Sequence, residues 1–198
     1  MIGIIDYQAG NVPSVKKALD FLGAKYVVTE DPNEVRRLEK LVLPGVGNFA
    51  ATKRLNDTGL TTAIRERIGA GIPFLGICVG LQWLFESSEE APDVPGLAFC
   101  KGVVAKFPAT VKSPHVGWNS VQPNRGSKLF RGIGGEKGGY VYYTHSYRCP
   151  VTPESSATTE YGGSFAAAVE KDNVFGVQFH PEKSGETGLQ VLKNFLDV

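Results

Sequence analysis

Cysteine is scarce in this chain: three thiols, Cys78, Cys100 and Cys149, among 198 residues. The count is odd and no two form a C-x-x-C pair, which argues against a disulfide framework and against a structural zinc site. An excess of either charge is also lacking, with 21 Lys plus Arg against 20 Asp plus Glu and a formal net charge of +1. That balance leaves no electrostatic footprint for nucleic acid or for an anionic membrane. Long hydrophobic runs are missing too. The longest stretch of apolar residues and glycine, Gly71 to Leu81, contains Pro73 and falls well short of the roughly 18 residues of a membrane span; it reads as a buried strand. The opening MIGIID has neither the basic start nor the small-residue cleavage site of a secretory signal, so the expected compartment is the cytosol, where thiols stay reduced. No repeat or low-complexity segment stands out. A small molecule or a protein is the expected partner.

What is present is the composition of a folded domain: 42% hydrophobic and 10% aromatic residues. One domain over residues 1–198 buries its apolar surface better than two small ones would. Ile2 to Ile5, Tyr26 to Thr29 and Leu41 to Leu43 read as short buried strands. Between the first two, Val12, Val15, Leu19 and Leu22 fall at helical spacing and Gly23 supplies a stop. Asp31 before Pro32, with Glu34 following, is a helix start, and Leu60, Ile64 and Ile68 mark a later helix before a strand at Pro73 to Ile77. From Leu97 the texture changes to β-branched and aromatic runs. The expectation is an α/β fold: a single open mixed sheet, mainly parallel, flanked by helices and extended by antiparallel strands in the C-terminal half. Lys171-Asp172-Asn173 reads as a hairpin turn, Ser184 as the start of a C-terminal helix, and Gly132 to Gly139 as a surface connection.

One segment, Pro73-Phe-Leu-Gly-Ile-Cys-Val-Gly-Leu-Gln-Trp-Leu-Phe85, carries the most chemistry. A buried strand runs into Cys78 and an amphipathic helix is expected directly after it. Gly76 and Gly80 flank the thiol at the spacing of G-x-S-x-G, where a sharp strand-to-helix turn holds a strained nucleophile at the edge of a sheet. A thiol at a helix N-terminus is activated by the dipole and nearby N–H groups. Most cysteines at strand ends are simply small apolar core residues, but glycines on both sides are costly unless the turn requires them. Cys100 reads as a strand residue and Cys149 as a strand exit, both structural.

A second junction, Val174-Phe-Gly-Val-Gln-Phe-His180-Pro-Glu-Lys-Ser184, ends in a histidine followed two residues later by a carboxylate. On an extended segment His180 and Glu182 share a face, and Pro181 fixes the backbone between them, so Glu182 can orient the ring as a triad's third member does. By itself the pair also fits a strand terminator and a helix first-turn carboxylate. Two junctions together favour chemistry, because the carboxyl ends of strands in an open α/β sheet line one crevice. A Cys78-His180-Glu182 triad suits acyl transfer through a thioester. His115 and His145 lack such a carboxylate and read as loop or interface residues. Oxyanion donors are expected from the N–H groups of Val79 and of Val46, the latter in the Pro44-Gly-Val-Gly-Asn48 turn where Gly45 and Gly47 let the backbone approach a substrate.

With GICVGLQ, GVQFHPE and LPGVGNF in one chain, the sequence resembles the class I, triad-type glutamine amidotransferases. Asp6-Tyr-Gln-Ala-Gly-Asn11, Pro114-His-Val-Gly-Trp-Asn119 and Thr144-His-Ser-Tyr147 make it similar, within them, to the glutaminase subunits of imidazole glycerol phosphate synthases over nearly the whole chain. Val79 and Leu81 stand where Leu and Met are expected, Tyr143-Thr144 replaces a more apolar pair, and the segment from Gly132 to Gly139 is richer in glycine. The resemblance implies hydrolysis of glutamine to glutamate and ammonia, with Cys78 as nucleophile, His180 as base then acid and Glu182 as orienter. It implies that Gly45, Gly47, Gln82, Ser146 and Tyr147 hold glutamine. It further implies that ammonia passes to a partner cyclase, a (β/α)₈ barrel, which Asn11, His115, Trp118, Tyr142 and Lys183 would face, for ring closure in histidine biosynthesis. No cofactor or metal is expected. The rivals are the glutaminase of another synthase and a cysteine-elbow redox or binding protein.

Overall fold

The computed structural model describes residues 1–133 and 139–198; most of the glycine-rich segment 132–139 lies outside the described residues. In chain order the elements are β1 (Ile2–Ile5), α1 (Val12–Phe21), β2 (Tyr26–Thr29), α2 (Pro32–Val35), β3 (Lys40–Gly45), a 3₁₀ turn at Phe49–Thr52, α3 (Lys53–Asp57), α4 (Leu60–Gly69), β4 (Phe74–Cys78) and α5 (Val79–Gln82). There follow β5 (Ser87–Ser88), β6 (Val103–Lys106), β7 (His115–Pro123), β8 (Gly139–His145), β9 (Tyr147–Arg148), β10 (Ser155–Glu160), β11 (Ser164–Lys171), β12 (Val174–Val177), a 3₁₀ turn at Pro181–Lys183 and α6 (Gly185–Leu196). Among the described residues, nine strands form one sheet in the order β2-β1-β3-β4-β12-β11-β10-β7-β8, and β5-β6-β9 form a smaller one.

The parallel half runs from β2 to β12. Its central strands β1, β4 and β12 are buried along their whole length. Covered on both faces, they read as unbroken apolar runs rather than alternations. Helix α1 turns Val15, Ala18 and Leu19 onto the sheet, and Gly23, at φ +67°, takes the left-handed conformation that ends it. Asp31 caps α2 by accepting from the Asn33 N–H. Between β3 and β4 the chain makes three short pieces, not one helix. The turn at Phe49 and helix α3 are too brief to show a period, and only α4 announces itself through Leu60 and Ile64.

Beyond β12 every pairing is antiparallel. Asp172, at φ +54°, makes the turn between β11 and β12. Two expectations need correction. Cys100 lies in a loop, its N–H donating to the Leu84 carbonyl, because the chain there folds back over the exit of α5. The helix after Cys78 is a single turn buried on every side, not an amphipathic one, since the sheet and the loop of Leu97 to Cys100 enclose it. Among the described residues no helix is long and apolar enough to cross a membrane.

Because β4 and β12 are neighbours in register, with Ile77 opposite Val177, the two junctions singled out in the sequence emerge side by side. That adjacency places the site.

Candidate active site

At the end of β4 the backbone of Cys78 sits at φ 55° and ψ −106°, a region that L residues avoid, at a cost of about 1–3 kcal/mol. Close backbone packing holds it there. A Cβ at Gly76 would collide with the carbonyl oxygen of Gly80, and one at Gly80 with that of Leu43. Gly45, the register partner of Cys78, is buried, and a Cβ on it would lie 2.6 Å from Val79 Cβ and 2.8 Å from the Tyr7 hydroxyl. Three glycines thus let β3, β4 and α5 approach closely enough to force the turn. The thiol meets a cleft of about 590 Å³, whose wall also includes Val46, Gly47, Val79, Gln82 and His180.

His180 arrives on relaxed backbone, φ −97° and ψ 97°, after β12 ends. Its Nδ1 lies 2.9 Å from Glu182 Oε1, and both side chains are 1% exposed. The pair meets through the 3₁₀ turn of Pro181–Lys183 rather than along an extended segment. Hydrogen bonds lock the junction. The His180 N–H donates to the Tyr142 carbonyl at 2.9 Å. Ser184 Oγ donates to the His180 carbonyl at 2.6 Å and accepts from the Tyr142 N–H at 2.9 Å. Burial by itself would lower the His180 pKa, but the neighbouring Cys78 and Glu182 together outweigh it and push the imidazole up to about 10. Among the described residues its buried Nε2 has no hydrogen-bond partner.

The two positions expected from the sequence to offer backbone N–H groups, Val79 and Val46, both line the cleft. Val79 is the first residue of α5, so its N–H has no acceptor within the helix. Val46 and Gly47, the latter at φ +93°, line the same cleft. Glu90, which carried no signal in the sequence, accepts from the Phe49 N–H at 2.7 Å and braces the turn behind Gly47.

A family model described as "Glutamine amidotransferase class-I" matches residues 3–198. The chain belongs to this family. Curated relatives include "Imidazole glycerol phosphate synthase subunit HisH" of Moorella thermoacetica, 51% identical over 98% of this chain and 93% of that protein. The protein of the same name from Caldanaerobacter subterraneus is 48% identical over 98% of this chain and 97% of its own. Among solved structures, a glutamine amidotransferase superposes with a TM-score of 0.77 at 18% identity, covering 99% of this chain and 97% of that one. PurLQS from Thermotoga maritima does so with 0.74 at 20%, covering 99% and 97%. At such identities these two show the fold.

In this class I amidotransferase the remaining residues singled out in the sequence fall into three places. Gln82, Ser146 and Tyr147 line the cleft with Gly47, whereas Gly45 lies beneath its floor. Trp118 is 55% exposed and lies edge-on to Tyr142, over which Lys183 Nζ sits at 6.0 Å. Asn11 lines the cleft and reaches Glu182 Oε1 from Nδ2 at 3.4 Å, beside the carboxylate rather than apart from it.

His115 and His145 are neither loop nor surface residues. They face one another across β7 and β8 and are both buried, His115 only 5% exposed, so His115 cannot offer its ring to a partner. His115 is stacked between Tyr161 and Tyr143, 4.0 Å and 4.8 Å away. His145 Nδ1 lies 2.8 Å from the Tyr147 carbonyl, which only accepts, so that nitrogen carries the proton. His145 Nε2 then accepts from His115 Nδ1 at 3.0 Å, leaving His115 Nε2 to accept from Asn119 Nδ2 at 3.4 Å. Both rings are neutral. Burial pulls His115 down to about 4. Burial, above all, pulls His145 down to about 3 against the opposing Tyr147 hydrogen bond.

Proposed function

We propose that this chain is the glutaminase subunit of an imidazole glycerol phosphate synthase, hydrolysing glutamine in the cytosol and passing ammonia to a cyclase partner. The observation that carries the chemistry is the strained Cys78 on the floor of a cleft, beside a His180 whose other nitrogen is held by Glu182. The choice of synthase rests on the relatives of that name at 51% and 48% identity over almost the full chain.

In this reading the sulfur attacks the side-chain carboxamide carbon of glutamine while His180 holds the thiol proton. The carbonyl π bond opens, and negative charge on oxygen is met by the Val79 and Val46 N–H groups, each worth about 2.7–4 kcal/mol. Collapse breaks the C–N bond, and His180 gives its proton to the departing amine, leaving ammonia and a Cys78 thioester. Water then attacks the thioester with His180 as base. The C–S bond breaks, the thiol regains its proton and glutamate leaves. Glu182 keeps Nδ1 protonated so that Nε2 points at the sulfur. Gly47, Gln82, Ser146 and Tyr147 hold the substrate. Trp118, Tyr142 and Lys183, exposed or half-buried beside the cleft mouth, are the surface on which a (β/α)₈ cyclase would sit.

Glutamate production with and without a purified cyclase and its nucleotide substrate tests the proposal. Release that rises at least tenfold with the cyclase, and disappears in Cys78→Ala, is expected. Equal release with and without the cyclase overturns the assignment to this synthase.

A further inference from the structure

The mechanism so far leaves Gln178 unused, although it is fully buried at the end of β12, two residues before His180. Its side chain lies between two sulfurs. Nε2 is 3.7 Å from Cys78 Sγ, and Oε1 is 3.8 Å from Cys149 Sγ and 3.3 Å from Gln82 Nε2. The larger radius of sulfur makes the first two ordinary hydrogen-bond lengths.

Which end of this amide faces Cys78 is settled by a backbone carbonyl. Gln82 places a side-chain terminus 3.1 Å from the Tyr147 oxygen. That oxygen only accepts, so the Gln82 terminus must be its NH₂. The same NH₂ meets Gln178, which must answer with its oxygen, and the Cys149 thiol can donate to that oxygen as well. Gln178 therefore has its NH₂ left for Cys78. Turning the amide over would set two NH₂ groups against each other and leave a buried acceptor facing the nucleophile, with a penalty for each unsatisfied group.

Resting on the glutaminase reading above, we propose that Gln178 is a catalytic residue: its side-chain N–H donates to Cys78 Sγ and stabilises the thiolate, while Gln82 and Cys149 position it. A neutral donor suits this place. It favours negative sulfur without competing for the proton that His180 exchanges, and it loses its hold once the sulfur is acylated and becomes a poor acceptor. The assignment also gives the buried Cys149 a task and gives Gln82 a second one beside the substrate.

The test follows iodoacetamide alkylation of Cys78 in the full chain as a function of pH. Gln178→Met keeps the shape and removes the donor. It is expected to slow alkylation at pH 7 about tenfold and to move the midpoint of the rate-against-pH curve upward by about one unit, equivalent to about 1.4 kcal/mol. Gln178→Glu, which turns an acceptor toward the sulfur, is expected to slow it further. Cys149→Ser, which keeps a donor, is expected to stay near the parent rate, while Cys149→Ala loses about threefold. A residue that only fills space would leave the midpoint in place, so an unmoved midpoint in folded Gln178→Met overturns the proposal. If that variant does not fold, the parent protein answers: the ¹⁵N-labelled Gln178 NH₂ signal is expected to move with pH and to jump on alkylation of Cys78, and a static signal overturns it. Glutamine takes no part in this assay. A donor shown absent leaves the glutaminase reading intact, whereas parent protein whose Cys78 resists alkylation removes both.

Discussion

The junctions that carry Cys78 and His180 are neighbours in one sheet, yet they are built by opposite means. At Cys78 the backbone is strained and held by close main-chain packing, with Gly76, Gly80 and Gly45 admitting atoms that any Cβ would push away. At His180 the backbone is relaxed, and side-chain hydrogen bonds from Ser184, Glu182 and Asn11 fix the ring and its flanks. A nucleophile must be displaced from its strand to meet substrate, and only packing stiff enough to store strain achieves that. A base must keep one tautomer, which needs a directional partner instead. The Cys78 junction should therefore fail through sterics and the His180 junction through lost polarity.

The largest effect is expected from Gly80→Ala, whose methyl group would drive into the Leu43 carbonyl. A loss of about 3 kcal/mol in urea unfolding, at the top of the range for overpacking, is anticipated, with alkylation of Cys78 abolished. Histidine chemistry comes next. His115 and His145 are held neutral, at about 4 and about 3, so the unfolded chain, with ordinary histidines near 6.5, binds more protons as the pH falls. The stability they contribute is present above pH 6.5 and is lost below it toward pH 4, on the order of 3 kcal/mol per ring. Unfolding midpoints measured between pH 7 and 4 are expected to show this slope, flattened in His115→Phe. His180 has the opposite sign. Raised to about 10, it contributes stability fully present below pH 6.5 and lost as the pH rises through about 10.

Glu182→Gln keeps the shape but can donate to Nδ1, favouring the wrong tautomer, and a fall of about 100-fold in kcat is expected in a glutaminase assay with little change in KM. The smallest effect sharpens the contrast most. Cys78→Gly is expected to raise stability by about 1 kcal/mol, because relief of the positive φ exceeds the entropy cost of glycine, while activity vanishes. His180→Ala, on unstrained backbone, should bring no such gain.

The same contrast explains what could be read from the amino acids. Gly76-Ile-Cys78-Val-Gly80 was legible because a tight turn dictates residue types at fixed spacing, and β1 and β4 because strands buried on both faces are unbroken apolar runs. His180 and Glu182 were legible as neighbours, though the turn that joins them was not. The His115–His145 pair was invisible, because its members meet only through the register of β7 on β8, which no local pattern encodes. Gln178 did leave a signal: a polar amide in the otherwise apolar run from Val174 to Phe179, just past the end of β12 and two residues before His180. Helix α3, with a single buried residue, Leu55, has no periodicity to find.

The most direct measurement is to incubate the protein with an electrophilic analogue of glutamine and to map the adduct by mass spectrometry. One adduct per chain is expected, on Cys78, blocked by excess glutamine and matched by loss of glutaminase activity. Labelling of Cys100 or Cys149 instead, or full glutamine turnover by Cys78→Ala, would contradict the site described here.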